Sequence, residues 1–330
     1  ICQISVLLKC YERVFTNFGN YLINLFLLHS KQAFLSQYKQ IRERTLQLVS
    51  ALEKEDFVAQ PVVDVSPPKW HLGHSSWFFE NFILKEHLPT YNWFDSSFPF
   101  LFNSYYESQG KRILRNKRGT LTRPSTEEVL RYRKHVDDHM ELLLNADGEL
   151  PKEVFRFLEI GLNHEQQHQE LLLTDIKYIL GSNPLLPALM PFEESQNEAL
   201  ELEWLEIEEG KYTIGHAGDD FCFDNEKRVH QVFLHAFKCM NRPVTNGEYL
   251  EFMADGGYQK ADLWLSAGWE WVKETAAEAP FYWLKEEGKW KAYQLNGVQA
   301  VRANQPVTHL TFYEAESLSR WKKFSLLTEF

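Results

Sequence analysis

The spacing of apolar positions divides the chain into two differently built halves. Residues 31–52 place Phe34, Tyr38, Ile41, Leu46 and Val49 at intervals that suit one face of a helix. Two proline breaks follow, Gln60-Pro61 and Ser66-Pro67-Pro68, and a second helix is predicted over 70–85. Residues 90–122 have no period; they are aromatic and turn-rich, then basic from Lys111 to Arg123. Ser125-Thr126-Glu127-Glu128 reads as a helix start, with acidic residues in the first turn and Val129, Val136, Met140 and Leu143 following at helical spacing. A fourth helix is predicted over 153–180, closed by Gly181 and Pro184. Long helices joined by one elaborate connection predict a four-helix bundle.

After about Glu194 the pattern changes. Residues 204–214 and 229–237 alternate in the manner of strands, and Trp-rich turns and one helix (245–253) complete the pattern. The expected fold class is therefore multidomain, α then α+β, with the bundle over 33–195 and a second domain over 200–330. No internal repeat or low-complexity tract is present.

Composition narrows the function. Of 330 residues, 46 are acidic and 35 basic, a formal charge of −11, which argues against a nucleic-acid partner. The apolar run 21–28 is too short for a membrane span and lacks the flanks of a signal peptide, so no membrane association is expected. Cys2, Cys10, Cys222 and Cys239 form no CxxC pair, which suits a reducing cytoplasm. The sequence opens on Ile1, and residues 1–32 are expected to be extraneous or disordered. Aromatics at 15% and twelve histidines suggest a lined pocket, but only spacing can turn that into a site.

His164-Glu165-Gln166-Gln167-His168 provides such a spacing. Positions four apart on a helix lie about 40° apart in projection, so both imidazoles point the same way. Phe157, Gly161, Leu171, Asp175 and Ile179 fall on the same predicted stripe, and Gly161 leaves room beside the pair. Buried imidazoles need partners; a shared metal is one, and ordinary hydrogen bonds inside a core are another. His71-Leu72-Gly73-His74 offers a third ligand from either histidine, with His74 on the face of Trp70 and Phe78. Three neutral nitrogens on one side of a metal leave positions open, as a catalytic centre requires. His135 and His139 repeat the spacing, but Val136 and Met140 define the apolar stripe there, so that pair is expected at the solvent edge or in a structural role.

With these motifs assembled, the chain resembles the EgtB family of ergothioneine biosynthesis. Ser66-Pro67-Pro68-Lys69-Trp70-His71-Leu72-Gly73-His74 with Trp77-Phe78-Phe79-Glu80 is similar to the family's first metal-binding segment, and 164–175 to its second. Phe102-Asn103-Ser104-Tyr105-Tyr106 and 118–124 match further stretches. Residues 210–215, 223–226, 243–246 and 264–269 resemble its formylglycine-generating-enzyme-like (sulfatase-modifying-factor) domain. The resemblance implies a DinB-like helical bundle followed by a partial formylglycine-generating-enzyme-like, C-type-lectin-like α+β domain. It also implies a non-haem Fe(II) sulfoxide synthase that uses O2 to join the sulfur of cysteine or γ-glutamylcysteine to C2 of hercynine. By position, His74, His164 and His168 would hold the iron, Gln167 would contact the imidazole substrate, and Tyr105 or Tyr106 would supply a proton.

Arg112, Arg115 and Arg118 form a basic run in an acidic chain; they suit bidentate capture of a substrate carboxylate, or simply decorate a solvated loop. Trp264, Trp269, Trp271 and Trp283 either line a cation–π pocket for a trimethylammonium group or, as expected here, fill the second core. Against the family pattern, the sequence stops at Thr328-Glu329-Phe330, before an Asn-Val-Trp-Glu-Trp-like segment, so the second domain is expected to be incomplete. Alternatives to the sulfoxide synthase are the ovothiol-pathway 5-histidylcysteine sulfoxide synthase, a DinB-like metal-dependent thiol transferase, and an inactive fragment acting as a binding module.

Overall fold

A computed structural model describes residues 31–104, 110–191 and 200–330. The expectation for residues 1–32 falls almost wholly outside the described residues; Lys31 and Gln32 already belong to the first helix. The described residues fall into two compact units, parted after Pro191.

In the first unit, α1 (Lys31–Val49), α2 (Pro68–Phe79), the short α3 (Phe98–Phe102), α4 (Thr126–Asn145) and α5 (Lys152–Gly181) follow in order. The long helices pack as a ring in which α2 touches α4 and α5 while α1 touches α5 and α4, which is the predicted bundle. α1 buries Phe34, Leu35, Tyr38, Ile41, Thr45, Leu48 and Val49, whereas Leu46 is exposed. The real stripe runs through positions 38, 41, 45 and 48, and position 46 is rotated about 100° beyond 45.

α2 is buried along its whole length, as expected for a helix without a polar face. Pro68 in its first turn has no N–H to leave unpaired. It continues into a π-helical turn (Glu80–Leu84) and a last turn at Lys85–His87. α4 begins with a reciprocal cap: Glu128 N–H donates to Ser125 Oγ at 3.2 Å and Ser125 N–H to Glu128 Oε2 at 2.7 Å.

One buried acid ties the four long helices together. Glu165 on α5 is fully buried and accepts from Arg42 Nη1 (3.0 Å), Thr45 Oγ1 (2.7 Å) and Arg133 Nη2 (2.5 Å). Arg42 also reaches Ser76 Oγ (3.0 Å) and Asp137 (2.6 Å), and Arg133 reaches Ser75 Oγ (3.2 Å). Burial alone would raise the Glu165 carboxyl, but the Arg133 and Arg42 guanidiniums hold it at about 2.

The second unit is α+β. β1 (Trp204–Ile207) pairs antiparallel with β4 (Phe237–Met240), and β2 (Gly210–Ile214) with β3 (His230–Leu234). A meander of β5 (Trp283–Glu286), β6 (Lys289–Gln294) and β7 (Gly297–Ala300) forms the third sheet. α6 (Asn246–Ala254), α7 (Ser266–Thr275) and α8 (Phe312–Lys322) complete it; α6 answers to the single predicted helix, and α7 and α8 are additions. Tyr249, Phe252, Tyr258, Trp264, Val272 and Leu318 form the core, with Trp269 and Trp271 packed against it. Trp264 Nε1 donates to Gly257 O at 2.8 Å, so this indole is a core residue. Trp283 is part-buried at the start of β5.

Candidate metal centre

His74 sits in the middle of α2, and its place depends on the glycine before it. A Cβ on Gly73 would lie 2.2 Å from Phe102 Cε1, so only glycine lets the Phe102 ring press against α2. Phe102 O then accepts from His74 Nδ1–H at 2.6 Å, which leaves the Nε2 lone pair free.

His164 and His168 lie one turn apart on α5, with ring centroids 4.6 Å apart and 5.0 and 4.7 Å from His74. One ligand atom from each of the three histidines lies within 4.8 Å of the others, the one such group among the described residues. The absent side chain of Gly161 makes room for Phe78 and Phe79, whose rings would meet a Cβ at 2.9 and 2.6 Å. The buried stripe of α5 runs through Leu158, Leu162, Glu165, Leu172 and Ile176, whereas Leu171 is exposed and the two histidines are part-buried. They therefore stand at the edge of the apolar face rather than along its middle.

His71 has a different position. Its Nε2 is 2.9 Å from Asp175 Oδ2, and its Nδ1 is 2.9 Å from His168 Nδ1. His74 groups with His164 and His168, and His71 stands behind His168. Burial lowers all four histidines; His164 is lowered to about 4, and His74 and His168 fall well below the usual value. The cluster is consequently neutral at pH 7, and His164 Nδ1 is buried without a hydrogen-bond partner among the described residues. Neutral, convergent imidazoles, one of them held in a single tautomer by the Phe102 carbonyl, fit a divalent transition metal.

Trp70 stacks on His74 at 4.5 Å and 14°, and Trp77 lies on the other side at 5.5 Å and 14°. The Arg118 guanidinium carbon is 3.3 Å from the Trp70 ring centroid, and its nitrogens donate to Ser66 Oγ (2.8 Å) and Ser104 Oγ (3.3 Å). Arg118 is therefore a buried member of a stacked column whose positive charge lies near the cluster. Arg112 is part-buried and donates to Ser104 O at 2.9 Å; exposed Arg115 donates to Asp64 O. Gln167 is exposed on α5 beside the two histidines. Tyr105 and Tyr106 lie outside the described residues. His135 donates to or accepts from nothing in the cluster: its Nε2 meets Asn92 O at 3.2 Å, while His139 Nδ1 meets His135 O at 2.7 Å.

The sequence matches known families and proteins over most of its length. Residues 37–172 match the DinB superfamily, and residues 191–330 match a sulfatase-modifying factor enzyme 1-like domain. A protein named hercynine oxygenase from Mycobacterium tuberculosis is 28% identical over 292 residues, 87% of this chain and 65% of its own length. The chain is similar to proteins named hercynine oxygenase. A second, from Mycolicibacterium smegmatis, is 26% identical over 305 residues, 91% of this chain and 68% of its own length. "Ergothioneine biosynthesis protein 1" of Neurospora crassa is 28% identical over 162 residues, 44% of this chain and 18% of its own length. The chain thus spans about two thirds of the length of the hercynine oxygenases from these two bacteria.

Sequence reasoning had not assigned a task to Asp175, Glu165 or the Phe102 carbonyl. Glu165 carried a usable signal: it interrupts the apolar stripe Leu158, Leu162, Leu172, Ile176, where an acid must find buried partners. The Phe102 carbonyl carried none, because a main-chain acceptor has no residue type to read.

Proposed function

We propose that the chain carries the iron centre of a sulfoxide synthase in ergothioneine biosynthesis, with Fe(II) held by His74, His164 and His168. The observation that carries this reading is the convergence of three imidazoles, kept neutral by burial, with ligand atoms within 4.8 Å of one another. The names borne by the relatives support hercynine and O2 as substrates; cysteine or γ-glutamylcysteine as the sulfur donor follows from the resemblance to the EgtB family. Bound there, Fe(II) would supply O2 activation and would favour the thiolate form of a coordinated thiol.

The reaction balances as thiol plus hercynine plus O2 giving sulfoxide plus water. The S–H and the imidazole C2–H are lost, a C–S bond and an S=O bond form, and O2 takes up four electrons. The chain's own residues serve this reaction through position and charge. His74 is held by Phe102 and the Trp70 and Trp77 rings, so its nitrogen is fixed before any substrate arrives. The buried charge of Arg118 favours anionic ligands nearby, and Arg112 and Arg115 provide guanidiniums for a thiol substrate's carboxylate. Gln167 projects from the ligand-bearing helix and is assigned to the imidazole substrate. Tyr105 or Tyr106 is assigned as the proton source; both directly follow Ser104, whose carbonyl and hydroxyl are tied to Arg112 and Arg118.

The test is turnover. Protein loaded anaerobically with Fe(II) is mixed with hercynine and either cysteine or γ-glutamylcysteine, exposed to O2 and analysed by mass spectrometry. A C2 sulfoxide adduct is expected with one donor preferred; a full-length homologue carrying the same residues that makes no adduct refutes the reading. Fragmentation that places sulfur at C5 of plain histidine instead would assign the ovothiol-type reaction.

A further inference from the structure

We infer that His71 and Asp175 are positioning residues for the metal centre: they hold His168 in one tautomer and couple a buried carboxylate to its ligand nitrogen. The inference deepens the proposed iron site and rests on it. Asp175 Oδ2 accepts the Ser66 main-chain N–H at 2.9 Å, so it acts as an acceptor, and His71 Nε2, also 2.9 Å away, must donate to it. A neutral His71 protonated at Nε2 has a lone pair on Nδ1, and that atom is 2.9 Å from His168 Nδ1. Two imidazole nitrogens at this separation share one proton, which therefore belongs to His168 Nδ1. His168 Nε2 is left unprotonated, as a metal ligand must be.

The alternative tautomers are incompatible with a ligand. A His71 protonated on Nδ1 would drive the His168 proton to Nε2 and block the metal. It would also leave Asp175 facing a bare Nε2 inside the protein. Burial makes either error costly, since His71 is 3% exposed and Asp175 7%. The pair is also placed to act across the site. His71 stands one turn before His74 on α2, and Asp175 two turns after His168 on α5, so their bond clamps both ligand-bearing helices. The carboxylate's charge reaches His168 through the intervening imidazole and makes its free nitrogen a stronger donor. His74 is oriented instead by a main-chain carbonyl, so the ligands differ in basicity by construction.

Co(II) titration of the whole chain tests this, because Co(II) d–d bands report the ligand field without turnover. The wild-type chain is expected to bind one equivalent. His71→Phe keeps the ring's bulk but offers His168 no acceptor; it should bind roughly 10- to 100-fold more weakly and with altered d–d bands. His71→Gln, whose amide oxygen can accept, should recover most of the affinity. Asp175→Asn retains an acceptor without charge and should shift the bands while weakening binding less than His71→Phe. Circular-dichroism melts of the metal-free proteins show which variants fold; should His71→Phe not fold, Asp175→Asn decides. Folded His71→Phe or Asp175→Asn with wild-type affinity and wild-type bands overturns the inference. A wild-type chain that binds no Co(II) and no Fe(II) instead overturns the iron-site reading beneath it.

Discussion

His74 and Phe102 are joined side chain to main chain: the imidazole Nδ1–H donates to the Phe102 carbonyl at 2.6 Å, and the Phe102 ring lies over the bare Cα of Gly73. The contact fixes a candidate ligand through a residue that carries no metal-binding group. Gly73→Ala puts a methyl 2.2 Å from Phe102 Cε1, so the ring and its carbonyl must move. Overpacking of this kind costs about 1–3 kcal/mol. We expect a lower melting temperature and at least roughly tenfold weaker Co(II) binding, because an orienting partner of a ligand is displaced. Unchanged affinity in the folded variant would separate Phe102 from the centre.

The two i, i+4 histidine pairs are predicted to behave differently. His164→Ala should abolish stoichiometric iron binding, measured by metal analysis after anaerobic loading and desalting. His135→Ala should leave it intact, since that ring hydrogen-bonds Asn92 O rather than joining the cluster. Stoichiometric iron in His164→Ala would refute the ligand assignment.

Glu165→Gln tests the buried network. The substitution leaves Arg42 and Arg133 without their shared anion inside the bundle. Removing one partner of a buried pair costs about 3–5 kcal/mol, readable as a shift of the urea midpoint. A midpoint within error of wild type would mean that water or Asp137 takes over the charge.

Acidification should destabilise the metal-free protein before its carboxylates titrate. Burial lowers His164 to about 4 from the ordinary 6.5, and His71, His74 and His168 are lowered by the same cause. Below 6.5 the unfolded chain therefore binds protons that the folded chain refuses. The stability present above 6.5 is lost as pH falls through the window from 6.5 to about 4. Melting temperature should fall steadily between pH 7 and pH 5, and the slope should be shallower in His164→Ala. A flat profile in the wild-type protein would contradict the burial of the cluster.

Much of the bundle was legible because helix periodicity and capping are local. Ser125-Thr126-Glu127-Glu128 was readable as a helix start, and the structure adds the reciprocal bonds between Ser125 and Glu128. The histidine trio was half legible. His164 and His168 share a helix, but preferring His74 to His71 required knowing how α2 rotates against α5. The outward turn of Leu46 on α1 and Leu171 on α5 shows the same limit, since a stripe one residue out of phase still has a helical period. In the second unit β1 to β3 were found in outline, whereas the β5–β7 meander was assigned no strands. α7 was hidden in the sequence Ser266-Ala267-Gly268-Trp269, where glycine and tryptophan suggested a turn. Gly268 is required there by contact, a Cβ falling 2.7 Å from Tyr313 Cβ.

The Glu165 network gives the first unit a framework that needs no metal. Its charges are neutralised by Arg42 and Arg133, and the helices are joined before any ion arrives. Loading is thereby separated from folding: a chelator should empty the centre and leave the bundle standing, and a second metal can then be offered to the same imidazoles. Which ion occupies the site is then set by supply and exchange rates in the surroundings, and the protein can pass through an empty, recoverable state without exposing its core to chaperones or proteases.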